Sequence, residues 1–136
     1  MAVKITGNYV DGLAMRMTHG PSGATLMTDP PVDNGGQGRD FSPTDLVATG
    51  LGACVMSVLA LIGKRDQFDL SGMEVSVEKH MTADGPRRIG RLDVILTLPK
   101  KLDQSTRGKL EHAAHTCPVA HSLHPDIALS MSFRYV

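Results

Sequence analysis

The stretch Leu46–Gly63, LVATGLGACVMSVLALIG, contains no charged residue and carries Cys54, one of two cysteines in the chain. Its length reaches the lower edge of what crosses a bilayer, about 18 apolar residues. Thr49, Gly50, Gly52 and Ser57 interrupt it, however, and most segments around it alternate apolar with polar residues. A helix apolar on every side also suits the centre of a globule, so the stretch is read as a core helix and no membrane is expected. Ser42-Pro43 starts this helix, with Ser42 as N-cap, Pro43 at the first helical position and Asp45 in the first turn, where a negative charge suits the dipole. It ends near Gly63-Lys64-Arg65, with cations at the C-terminal end.

Upstream, residues 2–28 alternate as three short strands, turned at Asp11-Gly12 and at Pro21-Ser22-Gly23, which predicts an antiparallel meander. Residues 29–40, DPPVDNGGQGRD, are a loop rich in proline, glycine and polar residues. Downstream, residues 73–81 and 88–98 alternate as two strands around an Asp84-Gly85-Pro86 turn. A helix over 104–115 follows, capped by Asp103 or Ser105, with Leu110, Ala113 and Ala114 on its inner side. TCPVAHSLHPD then gives a turn and one short helix, and residues 127–136 close as a strand. These elements do not alternate as βαβ units, so the fold class is α+β in a single domain spanning residues 1–136. One sheet covers only one side of an all-apolar helix. A homodimer with the 43–64 helix near its interface is therefore expected.

The 136 residues suffice for one compact core, and 14 Lys and Arg balance 14 Asp and Glu. No net field favours nucleic acid. The N-terminal MAVKITGNYV lacks the basic and apolar regions of a secretory signal, so a reducing cytoplasm is the expected compartment.

Chemistry centres on the two thiols, which are too far apart in sequence for a Cys-x-x-Cys motif. Cys54 has Gly50, Leu51, Ser57 and Val58 as neighbours at helical spacing, and Gly50 opens a slot for a ligand beside it. An apolar setting makes such a thiol inert unless a cation or donor reaches it. Cys117 precedes Pro118 and so stands at or near a helix N-cap, where free backbone N–H groups stabilise a thiolate. On local electrostatics it is the better nucleophile. His112, His115, His121 and His124 surround it, which raises zinc binding as an alternative. Arg39, in the loop that feeds the helix, and Arg16, in the second strand, are candidate cations.

FSPTDLVATGLGAC (41–54) and CPVAHSL (117–123), taken together, resemble the OsmC/Ohr family of thiol-dependent hydroperoxide reductases. The order of elements is similar over essentially the whole chain. The resemblance implies an intertwined homodimer, with antiparallel sheets packed around long central helices and sites at the interface. It implies Cys54 as the peroxidatic thiol and Cys117 as the resolving one, reversing the order read from local electrostatics. Arg39, or Arg16 in its place, would supply positive charge. Gly50, Leu51 and Val58 would line an apolar pocket for organic hydroperoxides, and an external dithiol would regenerate the enzyme without metal or cofactor. One departure stands out: the family's peroxidases commonly carry a glutamate after the helix-starting proline, where this chain has Thr44. Asp45 is no simple replacement, because nine residues, about 900° of helix, turn it away from Cys54. The chain looks closer to the OsmC-like branch. A non-peroxidatic protein binding a small apolar or thiol-reactive ligand at the same interface is the alternative.

Overall fold

The computed structural model describes residues Met1–Val136. They form two compact units, Met1–Val47 and Ala48–Val136. In the first, β1 (Ile5–Asp11), β2 (Ala14–His19) and β3 (Thr25–Thr28) form an antiparallel meander in that order, as the alternation and turns predict. This sheet has almost no core. Every residue of β1 is exposed, Ile5 and Tyr9 by 60% and 68%, and only Ala14, Thr28, Asp29 and Ser42 are buried in the whole unit.

The loop after β3 is organised around Asp29, whose side chain is 1% exposed. Its backbone N–H donates to the Phe41 carbonyl at 3.0 Å. Its carboxylate accepts from the Gln37 and Arg39 backbone N–H groups at 3.2 and 3.3 Å and from Arg39 Nε at 2.6 Å. Arg39 Nη2 reaches Asp11 Oδ1 at 2.8 Å. Gly36 is required for this closure, since a Cβ there would stand 1.9 Å from the Pro30 carbonyl oxygen. The stretch expected as plain loop also contains one 3₁₀ turn, Val32–Asn34.

Helix α1 (Pro43–Asp66) begins at the end of the first unit and runs on into the second. Its start is a reciprocal cap: the Asp45 N–H donates to Ser42 Oγ at 3.1 Å, and the Ser42 N–H donates to Asp45 Oδ2 at 2.9 Å. By length and composition α1 is apolar enough to cross a membrane, with mean hydropathy 2.2. One face is nevertheless buried within the chain through Ala48, Leu51, Gly52, Val55, Leu59 and Gly63.

In the second unit, β4 (Glu74–Met81), β5 (Ile89–Leu98) and β6 (Ala128–Tyr135) form a sheet in the order β4-β5-β6. β4 and β5 are antiparallel as expected, but β6 runs parallel to β5. The expectation of antiparallel pairing throughout therefore fails at this strand. The chain between β5 and β6 carries two helices, α2 (Gln104–Ala114) and α3 (Pro118–Ser122), which is the length and content a parallel crossover needs. Of the two candidate caps for α2, Asp103 serves, accepting from the Thr106 N–H at 2.8 Å. Leu51, Val55 and Leu59 of α1, Leu92, Val94, Leu96 and Leu98 of β5, and Leu110 and Ala114 of α2 are at most 1% exposed and form one core.

At Gly52 helix α1 lies close against the sheet: a Cβ there would come within 2.9 Å of Val77 Cγ2 and 3.4 Å of Val75 Cγ1. Valine side chains cannot swing away, so Gly52→Ala is expected to destabilise the protein by about 1–3 kcal/mol in urea unfolding. An unchanged midpoint would mean that helix and sheet are not held at this distance. At Asp29, the hydrogen bond from Arg39 holds the carboxyl below its ordinary range. Its stabilisation is therefore complete above the unfolded Asp value of about 3.9 and is lost as pH falls through the lower folded value. The melting-temperature gap between wild type and Asp29→Asn should narrow as pH is lowered from about 6 to 2; a constant gap would show that Asp29 acts without its charge.

Candidate functional site

Cys54 lies on α1 at the border between its core face and its open face, and is partly exposed. Gly50 and Val58, one turn before and one turn after it, are partly exposed beside it on the same side of the helix. A Cβ built on Gly50 meets nothing within 4 Å, so there is open space one turn from the thiol. Leu51, expected with them around a ligand, is 0% exposed and belongs to the core instead. Three positions before Cys54 the helix has already turned toward the sheet.

Cys117 is the N-cap of α3, in extended conformation before Pro118 at the first helical position. Its Sγ accepts a hydrogen bond from the Ala120 N–H at 3.3 Å. That much agrees with the N-cap reading. The expected thiolate does not follow, because Cys117 is 0% exposed and part of the core. Burial pushes its thiol up, the Ala120 N–H works against that shift, and the adjoining Cys54 thiol adds to it. Desolvation outweighs the helix terminus, so Cys117 rests as a protonated thiol. The earlier ranking of Cys117 as the better nucleophile is thereby overturned.

The fold thus brings the two cysteines together from α1 and from the β5–β6 crossover. Both are free, and the thiol of Cys54 lies against that of Cys117 closely enough to bear on its ionisation. Two neighbouring free thiols are the arrangement that a two-electron exchange between dithiol and disulfide requires.

The histidines do not join it. His112, His115, His121 and His124 are all exposed, His115 Nδ1 is engaged with the Glu111 carbonyl at 2.8 Å, and no three His, Cys, Asp or Glu side chains gather as a metal would require. The zinc reading has no support in this arrangement. In the N-terminal unit, Arg39 divides its guanidinium between buried Asp29 and Asp11, which keep it firmly protonated, and Arg16 is exposed on β2. Thr44, where a glutamate was expected, places Oγ1 3.3 Å from Ser42 Oγ, and Asp45 is used in the cap. Asp29 is the residue that sequence reasoning missed. Nothing in its spacing separates it from the chain's other turn-forming acids.

A sequence model described as OsmC-like protein matches residues 36–132. Among solved structures, the chain is 37% identical to a Psychrobacter arcticus protein described as an osmotic stress induced and detoxification response protein, over 98% of this chain and 95% of that one, with a TM-score of 0.88. Two others share the fold at lower identity. An organic hydroperoxide resistance protein OsmC from Legionella pneumophila is 20% identical over 98% and 97% of the two chains, TM-score 0.75. The organic hydroperoxide resistance protein OhrB of Bacillus subtilis is 21% identical over 98% of each, TM-score 0.72. No curated protein matches the chain. The match to the family covers both cysteine segments and most of the elements that bring them together, and the chain belongs to the OsmC-like protein family.

Proposed function

We propose that the protein is a dimeric, thiol-dependent reductase of organic hydroperoxides that acts in a reducing cytoplasm in defence against oxidative stress. The nearness of two free thiols, with Cys54 close enough to Cys117 to bear on its ionisation, is the observation that carries this reading. The names of two structural relatives, both organic hydroperoxide resistance proteins, agree with it.

In this reading the Cys54 thiolate attacks the distal oxygen of the hydroperoxide. The O–O bond breaks, the alcohol leaves after taking a proton, and Cys54 becomes a sulfenic acid. The neighbouring Cys117 thiol then attacks Cys54 Sγ, loses its proton to the departing hydroxide, and water leaves as the disulfide forms. An external dithiol returns both sulfurs to thiols, so the cycle uses no metal or cofactor. Gly50 and Val58 border the space in which an apolar peroxide substituent would lie. Arg39 is the proposed cation for the reacting thiolate, with Asp29 and Asp11 holding its guanidinium as the family's glutamate would.

A second copy of the chain is the proposed cover for two apolar surfaces. Leu61 of α1 is 68% exposed and lies on the helix side of Gly50, Cys54 and Ser57. In the N-terminal sheet Ile5, Tyr9 and Leu26 are exposed by 60%, 68% and 45%. Apolar exposure of this kind supports an interface there. Thr44 favours one other reading, a ligand-binding protein of the same fold in which Cys54 is reversibly modified without rapid peroxide turnover.

Stopped-flow oxidation of the reduced protein by one equivalent of cumene hydroperoxide separates these readings. The expected rate is roughly a hundredfold or more above that of a free thiol, ending in a Cys54–Cys117 disulfide seen by mass spectrometry, and falling roughly a hundredfold in Arg39→Ala. Cys117→Ser should retain the first oxidation but accumulate sulfenic acid. Oxidation no faster than free cysteine would overturn the peroxidase and leave the binding protein. For assembly, Leu61→Lys should shift sedimentation from dimer to monomer; a wild-type protein already monomeric would remove the dimer.

A further inference from the structure

We infer that the regenerating dithiol enters the oxidised protein at Cys54, and that Cys117 is the sulfur that leaves. This rests on the Cys54–Cys117 pair proposed above and concerns a step that the peroxide reaction does not fix. Thiol–disulfide exchange depends on which sulfur can be reached. The attacking sulfur approaches along the S–S axis, from the side opposite the leaving sulfur. For attack on Cys117 that approach lies in the core, since Cys117 is 0% exposed and clusters with Leu110, Ala113 and Ala114. For attack on Cys54 the approach is from the open side of α1, where Cys54 is partly exposed and Gly50 leaves space for lack of a Cβ. A second copy covering α1 narrows that approach. It does not uncover Cys117.

The leaving side is also prepared. The reductant's thiolate bonds to Cys54 Sγ, the Cys54–Cys117 bond breaks, and its electron pair departs on Cys117 Sγ. There the Ala120 N–H, 3.3 Å away in the reduced protein, meets the new charge until a proton arrives. The second thiol of the reductant, as thiolate, then attacks the reductant sulfur bound to Cys54. This closes a disulfide in the reductant and releases Cys54 as a thiolate. Two electrons have passed from the dithiol to the protein. Cys117 serves in both directions as the inner sulfur, attacking Cys54 in one half of the cycle and leaving it in the other.

The test forms the disulfide with diamide, so that no peroxide chemistry is needed. The oxidised wild-type protein is exposed briefly to excess β-mercaptoethanol, quenched in acid, alkylated with N-ethylmaleimide and mapped by peptide mass spectrometry. The expected product carries mercaptoethanol on Cys54 and maleimide on Cys117, in roughly tenfold or greater excess over the reverse. An equal or reversed distribution, or failure of diamide to form the disulfide, would overturn the inference. As a second measurement, Cys117→Ser, which keeps Cys54, should react with a chromogenic aryl disulfide roughly tenfold or more faster than Cys54→Ser, with folding of both checked by circular dichroism. Equal rates would also overturn it. Slow oxidation by hydroperoxide with the expected mercaptoethanol pattern would remove the peroxidase and leave this order of attack in place.

Discussion

The constraint on which the second unit depends is the packing of an apolar helix against a sheet at glycine distance. Gly52 lets α1 settle onto Val75 and Val77 of β4, and Leu51, Val55 and Leu59 join the leucines of β5 in one core. Leucine-rich β5 at the centre of the sheet, buried at every second residue from Leu92 to Leu98, is the matching surface. Once the helix is set at this distance, its rotation about its own axis is fixed as well. That rotation decides which residues sink into the core, and it leaves Cys54 at the border, neither committed to the core nor free in solvent.

In the proposed cycle a border position suits a sulfur that meets two different partners. Toward the core it faces Cys117, whose place is set by Pro118 and the short helix that follows. Toward the open face it has Gly50 and Val58 for neighbours. Burial disfavours ionisation of the inner thiol, and the backbone N–H groups of Ala120 and Val119 offset only part of that cost. The two cysteines are therefore chemically unequal although they are neighbours, and the proposed cycle draws its direction from that inequality.

Much of this was legible in the residues. Alternation gave the strands, Ser42-Pro43 and Asp103 gave helix starts, and Cys117-Pro118 gave an N-cap, because each is a local steric or hydrogen-bonding rule written in adjacent residues. The departures arose where a long-range partner decides. Whether β6 runs parallel or antiparallel depends on which end of β5 the crossover returns to, and alternation is the same in either case. Leu51 and Val58 sit at similar angles from Cys54, and only the sheet's position tells that the first is core. Cys117 was misjudged because a helix terminus is visible in sequence whereas the depth of the core around it is not. Asp29 went unseen for a related reason: its partners Gln37 and Arg39 are brought to it by a closure that Gly36 permits.

The parallel return of β6 bears on more than topology. Cys117 rides on a crossover pinned at both ends to one sheet, while Cys54 belongs to a helix laid across that sheet from an earlier part of the chain. Their meeting therefore spans a long stretch of sequence, and a covalent link between them would tether two segments that otherwise part freely on unfolding. Chain entropy assigns such a tether about 4 kcal/mol of stabilisation. Oxidation would then do mechanical as well as chemical work, alternately stiffening and slackening the fold, with the redox state of two sulfurs recorded in the resistance of the whole unit to unfolding.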